Sequence, residues 1–338
     1  MSQDRQLIGR RGVRVSPLGF GGAPIGNLYA AVTEEDAQAA LHAALERGIR
    51  YFDTAPFYGH GLSEERMGRA LTGRPRESLV ISTKVGRLIA RDESRRETRD
   101  DGFAVQGTRA LFDYGRGGVE RSFEASLRRL NVSFIDILLL HDVGRVTHGD
   151  RHPEVLKLAL DEALPAMAAL RDSGAVGAIG LGVNEQAVCL EVLPRFDLDC
   201  IMLAGRYTLL EQRDSAEIMA QAHARGVRVL IAGPYNSGLL GSAAGPGATY
   251  NYAPVDAATF ERARGIYAEC ALEGIDVGAA ALQFPLAHPA VASVVAGQRS
   301  ADEVVSAVRR LATPIPPRLW ERLKHLGLMD TSAAVPQP

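Results

Sequence analysis

The feature that most constrains this chain is a rhythm. Short, nearly continuous apolar runs alternate with segments whose apolar residues recur at helical spacing. The runs are LGFGG (18–22), RYFDT (50–54), LVISTK (79–84), IDILLLH (135–141), GAIGLGV (177–183), CIMLAG (200–205), VRVLIAG (227–233) and VASVVAG (291–297), eight candidate strands in all. A strand apolar on both faces needs cover on both, which is the signature of a parallel sheet wrapped by helices. Between the runs lie amphipathic segments such as Ala37, Ala40, Leu41, Ala44 and Leu45, opened by a capping pattern at Thr33 and Asp36 and closed by Gly48. A second is Val119, Phe123, Leu127 and Leu130. The unit of helix, glycine and strand recurs as LERGIRYFD, LRDSGAVGAIGLG and HARGVRVLIAG, because glycine readily takes the left-handed turn that sends the chain back to the sheet. The class is therefore α/β. Eight units in 338 residues favour a (β/α)₈ TIM barrel over a doubly wound sheet, as one domain spanning 1–338 with its core at about 18–311.

A barrel gathers its reactive groups at the C-terminal ends of its strands. The second, third and fourth runs end at or next to Asp53, Lys84 and His141, so these side chains are expected to converge at one mouth, with Tyr58 a few residues beyond Asp53. Residues 87–117, 142–153 and 239–254 exceed the minimal repeat and follow strands three, four and seven. They are expected to overhang that mouth as substrate loops.

Composition narrows the function. A net charge of −2 gives no broad positive field for nucleic acid, and the arginines at 95–99 read as a solvated loop. Cys189, Cys200 and Cys270 form no close pair, so neither a disulfide framework nor a zinc site is indicated and buried thiols are expected. No apolar run has signal-peptide or membrane-spanning length, and a cytoplasmic location is the expectation.

Singly, each of the four residues has an ordinary reading: a turn-forming acid, a half-buried aromatic, a solvated strand end, a core histidine. Together they make a proton-transfer device. A tyrosine titrating near 10 is a poor base at neutral pH; bringing it to about 7 takes roughly 4 kcal/mol, which a close ammonium in a dry pocket can supply. Lys84 is the expected ammonium, Asp53 its counter-ion, and His141 the group that fixes the substrate oxygen. Such a device suits proton transfer coupled to hydride transfer with a nicotinamide cofactor.

In order along the chain, FDTAPFYGHGLSEERMG, ISTKVG, FIDILLLHD and AIGLGVNE resemble the blocks of the aldo-keto reductase superfamily, over about Leu18 to Leu311. The resemblance implies that Asp53, Tyr58, Lys84 and His141 form its catalytic tetrad. Stretches such as LFDYGRGGVERSFEASLRRL, HDVGRVTHG and MLAGRYTLLEQ are most similar to the D-threo-aldose 1-dehydrogenase (L-fucose dehydrogenase) branch, and pyridoxal 4-dehydrogenases share the pattern. What this implies is oxidation of a sugar's anomeric hydroxyl to a lactone, with L-fucose, D-arabinose or L-galactose as the type of substrate. The pyridoxal hemiacetal presents the same local group and is the alternative. A general NADPH-dependent aldehyde reductase and a redox-sensing binding module remain open, as does the oligomeric state.

The glycines at 19, 21, 22 and 26 do not make a dinucleotide fingerprint, because Pro24 breaks its register and the expected acid is absent. They are expected to allow close backbone approach at the mouth of strand one. By resemblance, Gly22, Ala23 and Pro24 line the nicotinamide pocket with Asp53, and Asn184 holds the carboxamide. Tyr207 and Gly233 also contact the cofactor. Asn236, Ser237, Gly238 and Leu239 hold the pyrophosphate, with backbone N–H groups and hydroxyls as donors. Gly297, Gln298 and Arg299 reach the adenosine half. The chain departs from the family at Val183, where a serine is usual, and at Ala204, where a glutamine is frequent. The stacking aromatic is replaced by Gly233 or displaced to Tyr235. Glu303 stands where NADP-dependent relatives often carry an arginine; a carboxylate repels a 2′-phosphate and accepts from ribose hydroxyls, so NAD is expected, with Arg299 keeping NADP open.

Overall fold

The computed structural model describes residues 6–95, 102–242, 244–251 and 253–337. All eight apolar runs become strands of one closed parallel barrel: β1 (Leu18–Gly21), β2 (Tyr51–Asp53), β3 (Val80–Val85), β4 (Ile135–His141), β5 (Val176–Val183), β6 (Cys200–Ala204), β7 (Arg228–Ala232) and β8 (Val291–Gly297). β8 pairs back onto β1 through Val294 opposite Leu18 and Gly297 opposite Gly21, so the barrel sheet has no free edge.

Outside it run α1 (Glu34–Glu46), α2 (Leu62–Leu71), α3 (Arg116–Leu130), α4 (Leu164–Ser173), α5 (Ala187–Val192), α6 (Ala216–Ala224), α7 (Ala257–Leu272) and α8 (Ala301–Ala312). The Thr33 hydroxyl caps α1 by accepting from the Asp36 N–H at 3.0 Å, and Glu34, Glu35 and Asp36 in the first turn complement the helix dipole. Gly48, at φ +84°, then turns the chain toward β2.

Strand alternation divides the core in two. Leu138 and Leu140 of β4 face the helices, whereas Ile137 and Leu139 face the barrel axis with Tyr51, Val80, Ala178, Met202 and Leu230. Each fully buried leucine is worth roughly 1.5–3 kcal/mol over an exposed one. Ile8, Val13 and Val15 join the axial cluster from a two-stranded hairpin, Gln6–Ile8 with Val13–Val15. The same period carries to the functional residues. Asp53 shares the inward face of β2 with Tyr51, Lys84 that of β3 with Val80, and His141 that of β4 with Ile137 and Leu139.

The three long insertions carry structure of their own. Residues 87–117 contain an antiparallel ribbon, Arg87–Arg91 with Thr108–Phe112. Residues 142–153 contain a short helix, Arg145–His148, and residues 239–254 a small ribbon, Thr249–Tyr250 with Ala253–Pro254. Residues 96–99 of the arginine-rich stretch lie outside the described residues. Beyond the expected core boundary, Pro317–His325 forms a further helix that buries Leu319, Trp320 and Leu323. No helix among the described residues is long and apolar enough to cross a membrane. Cys189, Cys200 and Cys270 are free and buried, as expected.

Candidate active site

The barrel register brings the strand-end groups together. Asp53 lies opposite Ser82, which lies opposite Ile137; Lys84 is two residues above Ser82 on the same face. Lys84 and Asp53 are almost fully buried, at 2% and 3% exposure, so neither charge could persist without the other. The ammonium donates to Asp53 Oδ1, Asp53 Oδ2 and the Thr54 carbonyl, each at 2.9 Å, and the Ser82 hydroxyl donates to Asp53 Oδ1 at 2.6 Å. Gly182 of β5 leaves the passage Lys84 needs: a Cβ there would sit 3.3 Å from Lys84 Cε.

Tyr58 is placed by a contact of glycine on glycine. A Cβ on Gly59 would fall 2.4 Å from the Gly26 carbonyl oxygen, and one on Gly26 would fall 2.7 Å from the Tyr58 carbonyl carbon. The two loops therefore pack backbone to backbone, and the Tyr58 ring swings over the ion pair. Lys84 Nζ lies 4.7 Å from its ring centroid, a cation–π contact, while Phe103 stacks on the ring at 5.8 Å. His141 meets it edge to face at 6.0 Å. All four expected residues thus share one mouth.

The electrostatics correct one expectation. Lys84 has three N–H bonds and uses all of them on Asp53 and Thr54, so none is donated to the phenol. Burial, then the negative charges of Asp53 and Asp142, push the Tyr58 phenol well above its ordinary value, and only Arg87 opposes them. The ammonium therefore meets the ring through its face and not through a hydrogen bond to the phenol oxygen. His141, 7% exposed, is driven well below the usual imidazole value by burial and by the positive charges of Arg87 and Lys84, and is neutral at physiological pH. A neutral imidazole can donate to a substrate oxygen from one ring nitrogen.

Four residues of this mouth are not singled out by the sequence reading. Arg87 and Asp142 form a buried pair, Nη2 to Oδ2 at 2.6 Å, and Phe57 lies under the guanidinium at 3.8 Å. Phe103, from the insertion after β3, meets Phe57 edge to face at 5.2 Å. A basic residue following a strand-end glycine in KVGR, and an acid directly after the strand-end histidine in LHD, are the sequence signals that could have found the pair.

The cofactor-side residues divide. Gly22 and Gly21 allow close approach as expected: Cβ atoms there would lie 2.8 Å from the Asp53 carbonyl and 3.0 Å from the Ala296 carbonyl. Pro24 neighbours Gly297, and Ala23 opens the short helical turn Pro24–Gly26. Asn184 follows β5, its carbonyl accepting from Arg206. Gln298 is buried with both amide atoms unpartnered among the described residues, and Asn236 Oδ1 is likewise buried and unpartnered. Orphaned polar atoms at these two positions fit a bound polar group such as a dinucleotide. Gly233 is exposed, and a Cβ there would make an ordinary contact 3.7 Å from the Gly205 backbone nitrogen.

Three expectations change. Tyr207 is 3% exposed in the outer layer, stacked on Phe284 at 5.4 Å and edge-on to His288, which takes it away from the mouth. Tyr235 is held under the Arg310 guanidinium at 5.4 Å and does not replace the stacking aromatic. In the loop after β7, the N–H groups of Asn236, Gly238 and Leu239 close the loop's own turns, so they are not the free phosphate donors expected. Ser237 instead shares a hydrogen bond with Tyr29, linking the loops after β1 and β7. Arg299 donates to Glu303 Oε1 at 2.7 Å through Nε and to Oε2 at 2.9 Å through its backbone N–H.

Comparison with known proteins agrees with this architecture. The chain is 40% identical to a pyridoxal 4-dehydrogenase from Microbacterium luteolum, over 97% of this chain and 99% of that one. It is 37% identical to a D-threo-aldose 1-dehydrogenase from a Pseudomonas species, over 98% and 100%. Among solved structures, the holo form of an aldo-keto reductase from Bacillus halodurans superposes with a TM-score of 0.73 at 28% identity, covering 98% of each chain. The profile of the aldo/keto reductase family matches residues 17–327. On its barrel, on its near full-length relatives and on that match, the chain belongs to the aldo/keto reductase family of nicotinamide-dependent oxidoreductases.

Proposed function

We propose that this enzyme oxidises the anomeric hydroxyl of an aldose, of the L-fucose, D-arabinose or L-galactose type, to the lactone. The observation that carries the reading is the shared placement of Tyr58 and the neutral His141, rings 6.0 Å apart, beside the buried Lys84–Asp53 pair. That arrangement lets one substrate oxygen meet both a proton acceptor and a fixed donor.

The nicotinamide, when bound, supplies the acceptor for the hydride. The chain's own residues do the rest. His141 donates to the substrate oxygen without adding a charge. Tyr58, as phenolate, takes the hydroxyl proton as the carbon–hydrogen bond gives up its electron pair. Lys84 and Asp53 immobilise the ring from below and Phe103 stacks on it, which preserves the reactive geometry. Gln298, Asn236, Asn184 and the backbone at Gly22–Pro24 would hold the dinucleotide. Arg299, already engaged by Glu303, is a weaker partner for a 2′-phosphate than a free arginine, which supports NAD⁺ over NADP⁺.

A second reading has its own support: the relative at 40% identity is a pyridoxal 4-dehydrogenase, and a pyridoxal hemiacetal offers the same hydrogen, hydroxyl and ring oxygen on one carbon. The discriminating experiment measures reduction of NAD⁺ and NADP⁺ with L-fucose, D-arabinose, L-galactose and pyridoxal. Turnover of the sugars with NAD⁺ is expected; turnover confined to pyridoxal would establish the second reading.

A further inference from the structure

We propose that the Arg87–Asp142 pair recognises the substrate hydroxyl next to the reacting carbon, accepting from it at Asp142 Oδ1 and donating to it from the guanidinium. This deepens the aldose reading and rests on it.

The pair is built for a third member. Both side chains are more than nine-tenths buried, yet only one hydrogen bond joins them, Nη2 to Oδ2 at 2.6 Å. Arg87 Nε is buried with no partner, and Asp142 Oδ1 has no hydrogen bond among the described residues. Contrast Glu64, a buried carboxylate on the outer side of the barrel. It accepts from Thr83 at one oxygen and from Arg129 at the other, each at 2.6 Å. Both oxygens of that carboxylate are occupied. The pair at the mouth is half satisfied.

Its position connects it to the chemistry. Asp142 Oδ2 lies 3.5 Å from His141 Nε2, and the Arg87 guanidinium carbon lies 3.8 Å from the centroid of Phe57, whose ring meets that of His141 at 6.2 Å. Asp142 is turned toward this place by a left-handed backbone, φ +50°, held by its N–H to the Gly182 carbonyl at 3.0 Å. The Tyr114 hydroxyl fixes it further, 2.9 Å from the carbonyls of both His141 and Asp142. Non-glycine residues in this conformation are held at a cost and concentrate at functional sites.

A carboxylate beside a guanidinium selects by charge. An anion is repelled by the first and a cation by the second; a hydroxyl, which donates and accepts at once, satisfies both. A simple aldehyde leaves both unpaired. The chemical class is a neutral hemiacetal with a hydroxyl flanking the reacting carbon.

The test compares D-arabinose with 2-deoxy-D-ribose, which lacks only that hydroxyl, in the wild type and in the combined Arg87→Met, Asp142→Asn variant, which leaves no lone buried charge. In the wild type, loss of the hydroxyl is expected to lower kcat/KM by about 10- to 100-fold, the range for a hydrogen bond to a charged group. In the variant the two sugars should differ by less than about 3-fold. An unchanged ratio, with both sugars slowed alike, would overturn the proposal and leave the pair a structural one. Melting temperature and NADH binding establish folding; if the combined variant does not fold, the ratio is read on Arg87→Lys, which keeps a cation beside Asp142 but withdraws the guanidinium donors, and an unchanged ratio there likewise overturns the proposal. Failure of the aldose reading itself would show as no wild-type turnover of either sugar. The ratio is then read on pyridoxal against its 3-O-methyl ether, where indifference to the variant again overturns the proposal.

Discussion

Replacing Lys84 by methionine removes a cation 2% exposed that makes three hydrogen bonds at 2.9 Å. At that separation, and with an effective dielectric of about 20, the attraction between Lys84 and Asp53 is roughly 6 kcal/mol before desolvation is counted. Because desolvating both ions offsets much of it, the pair's net worth is small. Breaking it is different, since Asp53 is left charged and buried with only the Ser82 hydroxyl to serve it; such a loss costs about 3–5 kcal/mol. Lys84→Met should therefore lower unfolding stability by about that amount, and adding Asp53→Asn, which removes the stranded charge, should recover most of it. Chemical denaturation of the wild type, both single variants and the double variant reads this directly. The double variant is expected within about 2 kcal/mol of the wild type, though inactive. A double variant no more stable than Lys84→Met alone would refute the argument that charge pairing fixes this part of the mouth.

Three further outcomes follow from the same geometry. Since burial with Asp53 and Asp142 raises the Tyr58 phenol well above its ordinary value, its base form is scarce at neutral pH and grows about tenfold per pH unit. The rate of substrate oxidation should thus keep rising through pH 9, whereas a plateau beginning near pH 7 would show that another group sets the titration. Glu303→Gln should free Arg299 and shift the ratio of kcat/KM values toward NADP⁺ by about tenfold, or about 1.4 kcal/mol; an unmoved ratio would place the pair away from the 2′ position. Gly59→Ala, which puts a methyl 2.4 Å from the Gly26 carbonyl and strains a φ of +64°, should cut turnover more than stability by displacing Tyr58. Measured kcat and melting temperature check it, and loss of the fold with no selective effect on kcat would count against the glycine contact as a positioning device.

Much of the barrel was legible because its strands are nearly continuous apolar runs punctuated by glycine. RYFDT became Tyr51–Asp53 and IDILLLH became Ile135–His141 without a shift of face. The tetrad was legible for the same reason, since alternation along three strands fixes which way Asp53, Lys84 and His141 point. The amino-terminal hairpin was not, because three-residue strands such as Val13–Val15 are too short to show a period. The ribbon of Arg87–Arg91 with Thr108–Phe112 was hidden by a long connection between its strands. Tyr207 and Tyr235 illustrate the opposite failure. A position near the mouth in sequence says nothing of where a ring swings, and packing on Phe284 and under Arg310 drew both into the outer layer. The phenol's titration was not legible, because the reading weighed the Lys84 ammonium but not the burial and the Asp53 and Asp142 charges that raise the phenol, which only coordinates reveal.

All of the proposed chemistry passes through the oxygen of Tyr58. The most direct measurement is the turnover number of Tyr58→Phe with D-arabinose and NAD⁺, taken together with its dissociation constant for NADH. A loss of at least about a hundredfold in turnover is expected, with cofactor affinity changed by less than about twofold. Turnover within tenfold of the wild type, or a collapse of NADH binding in its place, would contradict it.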